Sequence, residues 1–261
     1  MWSKYPDINE ELAKVEAYIK KSIVSRNKLL NEVINELVEA GGKRIRPAFV
    51  IISAKFGKYD TCKVISLAGA LEILHTATLV HDDIIDNSKL RRGKATVSEK
   101  YGTDMAVYTG DFLFTEAVLM LSHDISIEKL DIVAKAVKTI CEGEVDQYRD
   151  RYNIDVSVFT YLKRISKKTA VLFQAACGLG AFLAECTDNV IKGLARFGFY
   201  YGMAFQIRDD LLDFLSDVQK EGKPICKDII EGTVTLPIIY SIKKNRACLL
   251  YTSDAADEED S

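Results

Sequence analysis

Residues 63–86 read KVISLAGALEILHTATLVHDDIID, and the fold is decided by how this stretch is read. Leu67, Leu71 and Leu74 recur at the helical period along one side, and no proline interrupts the run. A helix this apolar belongs inside a protein. Yet it ends in Asp82, Asp83 and Asp86. Asp82 and Asp86 stand one turn apart on one face, where like charges repel. The helix gains nothing from that pairing unless a cation lies between the carboxylates. Hard divalent ions take oxygen ligands, and Mg2+ is commonly held by one or two carboxylates together with substrate phosphates. His75 lies seven residues before Asp82 and therefore on the same stripe.

A second acidic motif stands further along, in FQIRDDLLDF at 205–214. Gln206, Asp209, Asp210 and Asp213 form one polar stripe, leaving Phe205, Leu211, Leu212, Phe214 and Leu215 to pack sideways. One such motif reads equally well as a solvated helix face. Two, each embedded in apolar helix, do not, because carboxylates near buried faces cost several kcal/mol unless a metal or cations neutralise them. The cations are present. In GGKRIRP (41–47) glycines permit close backbone approach, and Lys43 and Arg46 can face one anion. Arg91 and Arg92 follow the first acidic motif after a short turn, and Lys167, Lys168 and Thr169 open another apolar helix. A basic pair taken alone is most often a solvated helix end. Paired acids together with guanidinium and ammonium groups read as metal–diphosphate binding between facing helices.

The rest of the chain supports a single all-α domain. Of its 261 residues 48% are hydrophobic and 28% charged, enough for a large core and a solvated surface. The only prolines are Pro6, Pro47, Pro224 and Pro237, so long stretches are free to be helical. Leu12, Val15, Ile19 and Ile23 share one face, as do Leu29, Val33, Leu37 and Val38. Further helices are predicted over 104–121, 127–149, 157–184, 188–216 and 234–244. Breaks are predicted at Gly41-Gly42, Arg92-Gly93, Tyr152-Asn153 and Glu221–Pro224, and no segment alternates long enough to be a sheet strand. A net charge of −3 argues against a nucleic-acid partner. Six scattered cysteines form no CxxC pair or Cys/His cluster, which fits reduced thiols. MWSKYPDINEEL has no apolar signal region, and no run of about 18 uncharged apolar residues points to a membrane span. A cytoplasmic location is expected. The domain is expected over 1–245, followed at 246–261 by an acidic, unstructured tail.

The motifs, in their order, resemble those of the trans-isoprenyl diphosphate synthases, the polyprenyl synthetase family. They are GGKRIRP (41–47), HTATLVHDDIID (75–86), LRRG (90–93), YTGDF (108–112), KKTA (167–170), FQIRDDLLDF (205–214) and GKP…KDIIEGTVTLP (222–237). GEVDQYRDRYN (143–153) and FGFYYGM (197–203) tilt the resemblance toward the catalytic large subunits of heptaprenyl diphosphate synthases. It implies an isoprenoid-synthase bundle around a central cavity and an enzyme that joins isopentenyl diphosphate to an allylic diphosphate. Asp82, Asp83 and Asp86, facing Asp209, Asp210 and Asp213, would hold Mg2+ ions on the allylic diphosphate. Arg91, Lys168, Thr169, Gln206 and Lys223 would complete that site, and Lys43, Arg46, His75 and Arg92 would hold isopentenyl diphosphate. Small Ala77 and Thr78 would let the chain grow past them toward Leu74 and Leu71, about 5.4 Å per turn deeper, for a product of about C30–C50. A homodimer, or a heteromer with a small regulatory subunit, is the implied assembly. Family members continue with further helices beyond Pro237, so the tail is expected to be foreign to the domain, a frameshift or assembly scar.

Three other readings compete. A terpene cyclase or head-to-head synthase shares the ionisation step but has no need of Lys43, Arg46 and Arg92 as a second diphosphate cradle. A non-catalytic regulatory subunit would be expected to have lost an acidic motif. A plain helical scaffold leaves the paired acids without a purpose.

Overall fold

The structure is a computed structural model that describes residues 2–124, 127–215 and 227–244. Within them the chain is all-α, as predicted. The helices are α1 (Pro6–Ser22), α2 (Lys28–Glu39), α3 (Ile45–Ala54), α4 (Thr61–Ile85), α5 (Val97–Tyr101), α6 (Thr103–Asp124), α7 (Ile127–Arg149), α8 (Val158–Ile165), α9 (Val171–Leu183), α10 (Asp188–Leu215), α11 (Lys227–Ile230) and α12 (Leu236–Lys244). The predicted tail, the Glu221–Pro224 break and Lys223 lie outside the described residues.

Helix α4 is the axis of the bundle. Asp60 starts it by accepting hydrogen bonds from the Cys62 and Lys63 amides. Its residues from Val64 to Leu74 are buried without a break, so neighbours surround this half of the helix. α6 packs along it, α3 and α1 cover other sides, and α9 lies between α3 and α10. By length and composition, α4 and the Thr103–Ser122 part of α6 could each cross a membrane. In this fold α4 is the core helix, and α6 lies against it.

Two details depart from the predicted helices. Leu90–Arg91 and Lys94–Ala95 pair as a minimal antiparallel hairpin. Arg92 (φ 53°) and Gly93 (φ 76°) between them are both left-handed, the conformation that two-residue hairpin turns require. In addition, the predicted helix over 157–184 carries a π-turn at Ser166–Ala170, between α8 and α9. Single π-turns inside helices recur at functional sites, because the extra residue re-aims the side chains around it. Two glycines hold this turn. A Cβ on Gly143 of α7 would lie 2.9 Å from the Lys167 Cβ, and one on Gly202 of α10 would lie 2.6 Å from the Ala170 Cα.

Candidate active site

The two acidic motifs, on α4 and α10, and the π-turn border one cavity of about 450 Å3. Asp82, Lys168, Thr169, Gln206 and Asp209 lie on its wall, as do Lys43, Arg46, His75, Arg91 and Arg92. Thr78 also lines it, whereas Ala77, beside it, is turned into the core. Ile140, Leu172 and Phe205 give the cavity apolar wall.

Burial pushes the Asp82 carboxyl up to about 7, Glu144 and Asp86 add to the shift, and Lys168 opposes it. Burial also works against the Lys168 ammonium, but Glu144 and Asp82 outweigh it and hold its pKa above the ordinary lysine value. Lys168 Nζ lies 2.9 and 3.0 Å from the two oxygens of Glu144. Beside it, Lys167 turns outward to Asp146 at 2.8 Å.

The six motif carboxylates have different surroundings. Asp83 is buried, and Arg91 donates to it from Nε at 2.8 and 2.9 Å with Nη2 at 2.7 Å. Asp210 is buried, with Tyr161 Oη donating to Oδ2 at 2.6 Å and Gln206 Nε2 to Oδ1 at 2.8 Å. Asp86 meets Arg151 Nη2 at 3.4 Å. Asp213 accepts the Asp228 amide at 3.2 Å. Asp82 and Asp209 face the cavity itself. Among the described residues no three carboxylate, imidazole or thiolate groups converge on one point to hold an ion unaided. An all-oxygen donor set split between two walls instead fits hard divalent ions whose remaining ligands are phosphate oxygens.

At the other wall, Arg44 begins α3 with a left-handed backbone (φ 49°) and is tied to Glu72 at 2.7 Å, both of them on the cavity lining. Arg46, two residues on, points back over the Phe173 ring at 4.6 Å. Its buried Nε has no hydrogen-bond partner, and burial lowers the guanidinium to about 10. Burial also holds the His75 imidazole well below its ordinary value, and Arg46 adds to this, so it is neutral. Arg92 donates to the Gly41 carbonyl. A guanidinium with an unpartnered buried Nε beside a neutral imidazole is chemically suited to an anion.

Several residues here escaped the sequence reading. Glu144 and Arg151 both lie in GEVDQYRDRYN but pair with residues 24 and 65 positions away. Asp228, in KDIIEGT, faces the second motif, and burial together with Asp210 and Asp213 pushes it up to about 7. Tyr161 had no signal beyond its helical position.

A helical bundle with facing acidic motifs over a cavity ringed by arginine and lysine defines a prenyltransferase of the isoprenoid-synthase class. Comparison with known proteins bears this out. A family model described as "Polyprenyl synthetase" matches residues 27–260, and the chain belongs to that family. It is 41% identical over 242 residues to heptaprenyl diphosphate synthase component 2 of Geobacillus stearothermophilus, covering 93% of this chain and 76% of that protein. The crystal structure of heptaprenyl diphosphate synthase from Staphylococcus aureus superposes with a TM-score of 0.90 at 40% identity, covering 93% of this chain and 77% of that one. A polyprenyl synthase from Caulobacter crescentus CB15, complexed with calcium and isoprenyl diphosphate, superposes with a TM-score of 0.87 at 36% identity, covering 91% and 72%.

Proposed function

We propose that the chain condenses isopentenyl diphosphate with an allylic prenyl diphosphate, with Mg2+, to make a medium- or long-chain all-trans polyprenyl diphosphate for a quinone side chain. What supports this reading is that one cavity is lined by both groups of residues it needs: Lys168, Thr169, Gln206 and Arg91 for the allylic diphosphate, and Lys43, Arg46, His75 and Arg92 for isopentenyl diphosphate. A cyclase would have no use for the second seat. The relative crystallised with calcium and isoprenyl diphosphate supports a divalent cation.

In this reading Asp82, Asp86, Asp209 and Asp213 would hold the ions, with Asp83 and Asp210 serving the residues they already bind. Bound Mg2+ supplies Lewis-acid stabilisation of the departing diphosphate. Lys168 and Arg91 stabilise the charge that grows on that group as the allylic C–O bond breaks and its electron pair leaves with the diphosphate oxygen. The opposite seat orients isopentenyl diphosphate so that its double bond attacks the allylic carbon. A proton then leaves the new cation, and the released diphosphate is positioned to take it. Ile140, Leu172 and Phe205 keep water from the cation meanwhile.

Thr78 on the cavity wall allows growth past it, and similarity to heptaprenyl synthases favours a product of this length. Leu74 and Leu71 below it are fully packed, so elongation requires them to yield. That packing favours, as a second reading, a farnesyl or geranylgeranyl product. For assembly, exposed Tyr108, Phe114, Val118 and Leu119 on α6 give an apolar face that fits a homodimer or a regulatory subunit.

A steady-state assay with both substrates tests the two-seat reading. Lys43→Ala and Arg46→Ala are expected to raise the KM for isopentenyl diphosphate alone, and Lys168→Ala the KM for the allylic substrate. Turnover that needs no isopentenyl diphosphate would contradict the proposal.

A further inference from the structure

We infer that Tyr161, which does not touch the cavity, is a positioning residue that sets the polarity of the Gln206 amide toward the allylic diphosphate. This rests on the functional reading above. Four side chains form a hydrogen-bonded line from the core to the cavity wall. Tyr161, with no exposed surface, donates to Asp210 Oδ2 at 2.6 Å. Asp210 Oδ1 accepts from Gln206 Nε2 at 2.8 Å, and Gln206 Oε1 accepts from Thr169 Oγ1 at 2.6 Å.

The line has a direction, and Asp210 imposes it. The Asp210 oxygen accepts from Gln206 Nε2 and the Thr169 hydroxyl donates to Gln206 Oε1, so the amide turns its NH2 toward Asp210 and its oxygen toward Thr169. One N–H is used on Asp210. The other remains for an anion on the cavity wall, where Gln206 and Thr169 both lie. With the amide reversed, its oxygen would oppose a diphosphate. Tyr161 is what locks Asp210 in place: its ring is wedged in a small core with Val156, Ile165, Val234 and Ile239. A carboxylate anchored through one oxygen by a side chain that cannot move presents the other in a fixed orientation. The second acidic motif thus contains one carboxylate serving a substrate-binding amide, as Asp83 serves Arg91 on the facing helix.

The test uses the full chain and an unreactive allylic analogue, farnesyl S-thiolodiphosphate with Mg2+, measured by titration calorimetry. Tyr161→Phe removes only the hydroxyl. It is expected to weaken the analogue five- to twentyfold while leaving isopentenyl diphosphate affinity within twofold. In a Gln206→Leu background the same substitution is expected to cost nothing further, since coupled residues are not additive. Equal weakening of both ligands, or a full Tyr161→Phe penalty persisting without Gln206, would overturn the positioning role while leaving the functional reading intact. Failure of the unsubstituted protein to bind the analogue at all would overturn that reading, and this inference with it.

Discussion

Arg91 grips Asp83 with Nε at 2.8 and 2.9 Å from its two oxygens and Nη2 at 2.7 Å, so the middle carboxylate of the first acidic motif is committed to an arginine. Asp82, its chain neighbour, faces the cavity. Adjacent, chemically identical residues therefore have different tasks, and substitution separates them. Asp83→Asn is expected to behave like Arg91→Ala, raising the KM for the allylic diphosphate about tenfold through loss of a charge-assisted pair. Its Mg2+ requirement should be unchanged. Asp82→Ala should instead shift the Mg2+ titration of activity. A Mg2+ midpoint displaced as far in Asp83→Asn as in Asp82→Ala would refute the division.

The raised Asp82 carboxyl predicts a pH signature. In the metal-free folded chain burial pushes it up to about 7, against an ordinary value of 3.8. Between those values the folded state holds a proton that the unfolded chain has released, so stability falls as pH rises through that window. Asp82→Asn removes the effect. Its thermal midpoint should therefore gain on the wild type as pH is raised from about 4 to about 7, in the absence of divalent ions. Because ion binding requires the ionised carboxylate, Mg2+ with a diphosphate analogue should release protons at neutral pH, seen as buffer-dependent binding enthalpy. A difference in midpoint that does not vary with pH would count against the assignment.

The π-turn makes a prediction about a residue with no chemistry of its own. A methyl group on Gly143 would press on the Lys167 Cβ at 2.9 Å and the Lys168 amide at 3.2 Å. Gly143→Ala is expected to cost about 1–3 kcal/mol, as overpacking does. It should weaken allylic diphosphate binding more than isopentenyl diphosphate binding, because Lys168 moves with the turn. Chemical denaturation with parallel binding titrations checks both parts; a stable variant with unaltered allylic affinity would show that the turn tolerates displacement.

How far these features could be read in the sequence depended on distance along the chain. Periodicity located the long helices, and burial of α4 on all sides leaves a mostly apolar record from Val64 to Leu74, interrupted at Ser66 and Glu72. Both acidic motifs and the basic GGKRIRP and LRRG segments were legible because each is local. The left-handed pair Arg92-Gly93 was readable as a break, though not as a hairpin. What the sequence hid was pairing across it. Asp83 and Asp210 look like their neighbours until Arg91 and Tyr161 are seen against them, and Tyr161 stands 49 residues from its partner. The π-turn was hidden because no residue type marks it; tight packing by Gly143 and Gly202 does. Lys223, assigned by resemblance to the allylic site, lies outside the described residues.

In the proposed reading product length is set at Thr78, which lies on the cavity wall, with fully packed Leu74 one turn before it. Thr78→Phe should close the way down the helix, at about 5.4 Å per turn, and leave products no longer than about C20. An unchanged product distribution would show that the chain grows along another path.

The most direct test of the central claim is mass spectrometry of products formed from farnesyl diphosphate, isopentenyl diphosphate and Mg2+, with EDTA and Asp82→Ala controls. The account predicts a series of prenyl diphosphates lengthened by successive isoprene units to C30 or beyond. It should be absent with EDTA and reduced about 10²-fold or more in the variant. Hydrocarbons or alcohols formed from farnesyl diphosphate alone, or no elongation by protein shown to be folded and to bind both substrates, would contradict it.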